Sequence, residues 1–343
     1  MLKFTSNEMK TLFSAIAELR KLYLPIEKAG EVGFYLWEED AKVRLDVLKT
    51  VKSAKDAFFP QSEHLMSFKV KDKAIEIEQP SDDMDDFVIM GVRACDAKSF
   101  EILDSVYLSK PVDTYYQMRR EHGLVITMAC GQPEESCFCT VFGIDPANPI
   151  GDVVTWLVDG TLYWEAKTEK GEAFTAELTA VLAEASAEDV AAVNAQKDAI
   201  KAITEKLPFA NLNLEGFDGE HLMEKFNDPQ WAELSKACLG CGTCTFVCPT
   251  CQCYDVRDYD TGDGIRRFRC WDSCMYSDFT MMAHGNNRNS QVERFRQRFM
   301  HKLVYFPANN NGEYSCVGCG RCINKCPIQM NIVKVIKALG VKE

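Results

Sequence analysis

Two copies of one cysteine pattern constrain this chain more than any other feature of its sequence. The pattern C-x2-C-x2-C-x3-C-P spans residues 238–249 and returns at residues 316–327. Three thiols at steps of three residues let one loop surround three irons of a cubane, whereas the fourth cysteine points away and, in two-cluster ferredoxins, ligates the other cluster. The pattern therefore predicts two [4Fe-4S] clusters that exchange their fourth ligands. The first would be held by Cys238, Cys241, Cys244 and Cys326, and the second by Cys316, Cys319, Cys322 and Cys248.

Zinc sites and disulfides are the alternatives for so many thiols. Zinc sites generally combine two C-x2-4-C knuckles that lie well apart in sequence, whereas each repeat here is a complete cubane pattern with its proline. Disulfides are typical of secreted chains, and the N-terminal MLKFTSNEMK lacks the features of a signal peptide. Both alternatives are disfavoured, and we expect a cytoplasmic protein.

Eight of the sixteen cysteines lie outside the two repeats, which is enough for two further clusters. CPTCQC and RCWDSC predict a third cluster. The alternative there is three thiolates with another ligand, such as His284, or a Cys270 that is merely buried. Four earlier cysteines predict a fourth cluster, and the alternative for them is ordinary buried cysteine beside strands. The predicted ligands are Cys251, Cys253, Cys270 and Cys274 for the third cluster, and Cys95, Cys130, Cys137 and Cys139 for the fourth.

Residues 1–145 have the pattern of an α/β domain with a short parallel sheet. Apolar spacing predicts a helix over 9–24 that ends before a proline, and alternation over 68–78 predicts a hairpin. Two continuous apolar runs, at 87–92 and 124–128, are typical of strands buried on both faces of a sheet. With the helical patterns between them, they predict a parallel βαβ unit.

Cys95 and Cys130 each follow one of these apolar runs within three residues. The carboxyl ends of neighbouring parallel strands meet at one crevice, where α/β sheets usually hold ligands. The CFC motif on the next loop is placed to close this crevice. We expect the resulting cluster to be the terminal carrier of an electron-transfer path. Arg93 and Lys98 are expected to lie close enough in sequence to favour its reduced, more negative state.

Residues 146–230 are predicted to connect this domain to a second one. The stretch 153–166 predicts a hairpin with an Asp-Gly turn, and 186–207 predicts a capped, Ala-rich helix. Residues 231–343 are predicted to form a mainly α-helical, ferredoxin-like dicluster domain that also carries the third cluster.

Charge and missing motifs limit the partners of the chain. A net charge of −12 argues against a general nucleic-acid binder, because phosphate contacts come mainly from lysine and arginine. No apolar run approaches the ~18 residues that a membrane span needs. Neither G-x-G-x-x-G after a strand nor G-x-x-x-x-G-K-[ST] occurs, so flavin or nicotinamide binding is expected in a partner. Basic segments at 265–269 and 288–302 are expected to offset the charge of thiolate-bound clusters or, alternatively, to dock an acidic ferredoxin.

The stretches RACDAKSFEILD, CPTCQCYDV and CVGCGRCINKCP, together with the AC and CFC motifs, resemble one family. It is the A-subunit group of the anaerobic sulfite reductases, which also includes the beta subunits of soluble [NiFe] hydrogenases, and the resemblance extends from about residue 80 to 335. It implies an iron-sulfur electron-transfer protein that works beside two kinds of partner, a flavin- and NAD(P)-binding reductase and a catalytic subunit or ferredoxin. It also implies that the cysteines named above are the cluster ligands.

Two functions are consistent with these motifs. The first is an electron wire between a flavin partner and a terminal acceptor of sulfite reductase, hydrogenase or transhydrogenase type. The second is a catalytic subunit of heterodisulfide-reductase type, in which CPTCQC or the early cysteines bind substrate at an open iron. Most of the cysteines belong to complete four-thiolate sets, which leave no iron open to substrate, so the electron-transfer function is favoured.

Overall fold

The computed structural model describes residues 1–6, 8–71, 74–80 and 84–340, which form a large sheet, a small sheet, a short two-stranded ribbon and helices. Among the described residues the strands are β1 (Leu2–Phe4), β2 (Lys21–Lys28), β3 (Glu31–Leu36), β4 (Ser62–Lys71), β5 (Ala74–Glu78), β6 (Phe87–Val92), β7 (Gly123–Met128), β8 (Val153–Val158), β9 (Thr161–Ala166), β10 (Leu182–Glu184), β11 (Tyr254–Asp260), β12 (Ile265–Trp271), β13 (Met281–Met282) and β14 (Gly285–Asn286).

The helices of the same residues are α1 (Met9–Leu19), α2 (Ala94–Tyr107), α3 (Thr114–His122), α4 (Glu169–Glu177), α5 (Ala187–Thr204), α6 (Leu222–Asn227), α7 (Gln230–Lys236), α8 (Thr243–Phe246), α9 (Gln291–Met300), α10 (Phe306–Asn309), α11 (Arg321–Asn324) and α12 (Ile332–Leu339). Short 3-10 turns occur at Ala54–Ala57, Cys139–Phe142 and Asp278–Thr280, and a π turn at His301–Tyr305 extends α9.

The large sheet has the order β10-β1-β9-β8-β7-β6-β2-β3, and its centre is parallel. The two predicted strands are confirmed, since β6 and β7 pair in parallel and every residue of both is buried. Successive side chains of a strand point to opposite faces, so both faces need an apolar cover. On one face Val88 and Ile126 pack under α1 and α4; on the other, Ile89 and Val125 pack under α2.

The helix predicted over 9–24 is too long. It ends at Leu19, and its last residues begin β2, which pairs in parallel with β6 over Lys21–Tyr23. Leu22, Leu24 and Ile26 alternate into the core with the period of a strand. The proline lies beyond the parallel ladder, so its missing N–H costs no hydrogen bond there.

The predicted hairpins and the Ala-rich helix are present. β4 and β5 pair antiparallel, although residues 72 and 73 of their turn lie outside the described part of the chain. β8 and β9 pair around the left-handed Asp159 and Gly160, and α5 begins at a capping box formed by Ser186 and Asp189. Both β8 and β9 belong to the large sheet, which therefore continues past residue 145.

The C-terminal segment is less helical than predicted. β11 and β12 form a hairpin that pairs with β4, which gives the small sheet the order β11-β12-β4-β5. The buried guanidinium of Arg269 in β12 donates to Glu63 in β4 at 2.5 Å, although the two residues are 206 positions apart. Trp231, Phe295, Phe299 and Ile336 of α7, α9 and α12 form a separate core beside the repeats.

Candidate metal centres

The four early cysteines line one cavity at the carboxyl ends of β6 and β7. Cys95 lies in the first turn of α2, directly after β6, and Cys130 is the second residue after β7. Cys137 and Cys139 come from the next loop, where a 3-10 turn begins at Cys139. The structure thus brings together the four residues that the sequence grouped as the fourth cluster site, which we call the early group.

Two cations line the cavity of the early group. Arg93 donates to the carbonyls of Ala129 and Leu45 at 2.8 and 2.6 Å, and its Nε is buried without a hydrogen-bond partner. Lys49, which the sequence did not single out, contacts Glu134 at 2.9 Å, and although burial opposes its charge, Cys137, Glu134 and Cys319 raise its pKa.

Lys98, expected at this cavity, lies elsewhere. Its ammonium pairs with Glu101 at 2.7 Å and Glu313 at 2.6 Å, and it is not among the residues that line the cavity. The two carboxylates hold the Lys98 ammonium outside the cavity, although Lys98 is only three residues beyond Cys95 in α2. The expectation for Lys98 is therefore wrong, whereas Arg93 lies where it was expected.

The second cysteine repeat packs directly against the early group. Gly318 has φ +57° and its carbonyl accepts a hydrogen bond of 2.9 Å from the Phe138 amide. A Cβ on Gly318 would overlap the Phe138 carbonyl, and one on Gly320 would overlap the Ser136 carbonyl. Cys319 lines the same cavity as the early cysteines. Glycine is needed at 318 and 320 because the two backbones touch there.

The fourth cysteines of the repeats lie beside the opposite repeat. Burial, followed by the proximity of Cys244, Cys241 and Cys326, raises the pKa of the Cys238 thiol. Burial likewise raises the pKa of Cys322 to about 12, with Cys248 among the thiols that add to the effect. Cys316 and Cys319 also have Cys248 as a charged neighbour. Cys326 therefore has neighbours in the first repeat and Cys248 has neighbours in the second, while the exchanged ligation of the two clusters stays a prediction.

A third group of thiols adjoins the second repeat. A hydrogen bond from Cys251 lowers the pKa of Cys248, and one from Cys274 lowers the pKa of Cys253 to about 7. Cys251 is also a charged neighbour of Cys274. We call Cys251, Cys253 and Cys274 the CPTCQC group.

Cys270 stands apart from the CPTCQC group. Burial raises the pKa of Cys270, and the charged groups that act on it are Arg257, Asp255 and Asp272, none of which is a cysteine. His284, the other candidate ligand, is exposed in the turn between β13 and β14. Among the described residues, no set of three or more His, Cys, Asp or Glu side chains is arranged to hold a single metal ion.

Three buried cations lie between the cysteine groups. Arg298 donates to the carbonyl of Cys244 at 2.9 Å, Lys302 to Thr250 Oγ1 at 2.8 Å, and Lys55 to the carbonyl of Cys251 at 2.7 Å. Each is at most 4% exposed. Within the described residues, none of the three forms a salt bridge with a carboxylate. Buried charges are costly unless they are paired.

The unpaired cations fit an anionic cofactor held by the thiols. Nε and Nη1 of Arg298 are buried without hydrogen-bond partners, and burial opposes its charge, but Cys244 and Cys322 lead the thiols that raise its pKa. Burial opposes the charge of Lys302, but Cys248, Cys251 and Cys316 outweigh burial and raise its pKa. Thiolate-bound iron-sulfur clusters would supply the negative charge that these cations lack.

The sequence carried a signal for this arrangement in its basic segment 288–302. Phe295, Arg298, Phe299 and Lys302 recur at the spacing of one helical face, and all four are buried. A cation inside an apolar stripe predicts a buried anionic partner. In the other basic segment, Arg267 pairs with Asp258 at the surface, and the buried Arg269 pairs with the carboxylate of Glu63.

Comparison with known proteins supports iron-sulfur binding by this chain. Residues 237–330 match the family model of the 4Fe-4S dicluster domain. The chain is 32% identical over 340 residues to Sulfhydrogenase 2 subunit beta of Pyrococcus furiosus, an alignment that covers 97% of this chain and 96% of that protein. No solved structure matches the chain. No helix within the described residues is long and apolar enough to cross a membrane. The chain is an iron-sulfur protein and belongs to the family of the sulfhydrogenase beta subunits.

Proposed function

We propose that the chain is the electron-transfer subunit of a hydrogenase-type complex. It passes electrons between a flavin- and NAD(P)-binding reductase and a catalytic subunit or ferredoxin. The related protein is named as the beta subunit of a sulfhydrogenase, which supports a role beside other subunits. The observation that carries the proposal is the continuity of the four cysteine groups, since the early group, the CPTCQC group and the first repeat each adjoin the thiols of the second repeat or its predicted fourth ligand.

The line of groups begins at the cavity of the early group. Cys319 of the second repeat lines that cavity, so the first two groups adjoin directly. Cys248, the predicted fourth ligand of the second-repeat cluster, contacts Cys251 of the CPTCQC group. Cys322 of the second group and Cys244 of the first repeat both face Arg298. A continuous set of neighbouring carriers is what a one-electron path requires.

The side chains around the groups suit this role. A bound [4Fe-4S] cluster supplies a carrier that accepts and releases one electron. Arg298, Lys302 and Lys49 place positive charge at the thiols, which favours the reduced state, because reduction makes a cluster more negative. Backbone contact at Gly318 fixes the spacing between the early group and the second group.

The nucleotide chemistry belongs to a partner in this proposal, since the sequence has neither the G-x-G-x-x-G fingerprint of dinucleotide-binding folds nor the G-x-x-x-x-G-K-[ST] pattern of P-loops. The test is to purify the native protein without oxygen, identify the subunits that co-purify, and add NAD(P)H. We expect a flavoprotein in the complex and cluster reduction by NAD(P)H only when that flavoprotein is present. Reduction of the isolated chain by NAD(P)H at a comparable rate would contradict the proposal.

A further inference from the structure

We infer that the CPTCQC group holds its cluster through three thiolates, with one iron open to a small anionic ligand and with Cys270 as a free thiol. This inference rests on the proposed function, because it assumes that a cluster binds here. It differs from the expectation drawn from the sequence, in which Cys270 completes a four-cysteine set.

The pleat of β12 points Cys270 away from the group. Cys270 lies between Arg269 and Trp271, which are 3% and 7% exposed, and successive side chains of a strand point to opposite faces. Its cross-strand partner in β11 is Asp255, which forms an ion pair of 2.8 Å with the exposed Arg257. Cys270 therefore shares the face of the small sheet that carries this surface pair.

The opposite face of β12 is the one that meets the CPTCQC group. The Lys55 nitrogen lies 3.9 Å above the ring of Trp271 and also donates to the carbonyl of Cys251 at 2.7 Å. The amide of Asp272 donates to the carbonyl of Cys253 at 2.9 Å. The Lys55 contacts join the ring of Trp271, not Cys270, to the loop that carries the thiols, and the backbone bond of Asp272 holds the end of β12 against the same loop.

A shift of β12 that turned Cys270 inward would break buried ion pairs. A slip of one residue exchanges the two faces of a strand. The guanidinium of Arg269 would then leave Glu63 and Asp113, both of which it now contacts from a buried position. Removing one partner from a buried pair is strongly destabilising, because an uncompensated charge stays behind. The register is thus held by Arg269.

No other described cysteine is free to supply the fourth thiolate, since Cys248 is the predicted fourth ligand of the second-repeat cluster and the remaining cysteines belong to the two repeats and the early group. The surroundings instead favour an external anion. Lys302 faces Cys251, and Lys55 is bound to its carbonyl. Hydroxide, hydrosulfide or a thiolate is the class of ligand that such a site would accept.

The first test counts iron in single-cysteine variants of the holoprotein purified without oxygen. We expect Cys270→Ala to keep its full iron content, and Cys274→Ala to lose about four irons, one cubane. Loss of a cluster from Cys270→Ala would overturn the inference. Full iron in Cys274→Ala would also overturn it, because it would show that no third cluster binds at this group. The proposed electron-transfer function would then still rest on the other three clusters, so failure of this inference is distinguishable from failure of the proposed function.

The second test uses alkylation and mild oxidation of the same holoprotein. Iodoacetamide without denaturant should label Cys270, as detected by mass spectrometry, and protection of Cys270 would count against a free thiol. Ferricyanide should take one electron from the open cubane, which releases one Fe2+ and leaves a three-iron cluster with its own EPR signal. That signal should persist in Cys130→Ala and vanish in Cys274→Ala. Its absence from the wild-type protein would overturn the open iron.

Discussion

The guanidinium of Arg321 and the carboxylate of Asp96 form a buried bidentate ion pair, with N–O distances of 2.5 and 2.7 Å. Asp96 follows Cys95 of the early group, and Arg321 precedes Cys322 of the second repeat. Arg321 Nε also donates to the carbonyl of Thr50 at 2.9 Å. This one arginine joins two cysteine groups whose chain positions are 225 residues apart.

Arg321→Met should strongly destabilise the chain, because it leaves the carboxylate of Asp96 buried without its partner. Breaking a buried pair from one side costs roughly 3–5 kcal/mol. Urea unfolding followed by circular dichroism would measure the loss. The double variant Asp96→Leu with Arg321→Met should recover much of it, and Arg267→Met, which breaks a surface pair with Asp258, should have a much smaller effect. An equal loss of unfolding free energy in Arg321→Met and Arg267→Met would contradict the role of the buried pair.

Cys248→Ser should damage the cluster of the opposite repeat. The thiol of Cys248 lies beside those of Cys316, Cys319 and Cys322, so the cluster at residues 316–322 loses a ligand. Cys326→Ser should damage the cluster at residues 238–244 for the same reason. EPR spectra of the reduced variants distinguish the two clusters. Damage confined to each variant's own local cluster would refute the exchanged ligation.

Cys130→Ala should remove the cluster of the early group and leave the two repeat clusters spectroscopically intact. The wild-type chain, purified without oxygen, should carry about sixteen irons and sixteen acid-labile sulfides, and the variant about twelve of each. Electron flow between the outer partners should also cease, because the path loses a carrier. An unchanged iron count would mean that Cys130 is an ordinary buried cysteine.

Arg298→Met should lower the midpoint potentials of the clusters that Arg298 faces. Its charge lies beside Cys244 and Cys322, and removing it disfavours the more negative reduced state. A tenfold change in the one-electron equilibrium is about 59 mV, and a shift of roughly this size is expected in an EPR-monitored redox titration.

Two variants control for loss of packing at this position. Arg298→Lys keeps the charge and should retain most of the potential. Arg296→Met alters the same helix at a cation that stacks 3.6 Å above the ring of Phe226, and it should leave the potentials unchanged. A shift as large in Arg298→Lys as in Arg298→Met would indicate a packing effect in place of a charge effect.

Sequence patterns correctly predicted the secondary-structure elements that are determined by residues close together in the chain. The apolar runs of β6 and β7, the Asp-Gly turn before β9 and the capping box of α5 are each decided within a few residues, and each is confirmed. The helix predicted over 9–24 failed because its apolar residues also fit a strand, and pairing with β6 decided in favour of the strand.

The sequence by itself determined that the chain is an iron-sulfur protein, because three thiols at steps of three residues define a cubane-binding loop without reference to the rest of the fold. It also determined which early cysteines gather, since parallel strands meet at their carboxyl ends. Only the tertiary structure decided that Cys270 faces away from the CPTCQC group, and that the early group touches Gly318. The register of β12 depends on Arg269 meeting Glu63, 206 residues away, and no local pattern carries such a contact.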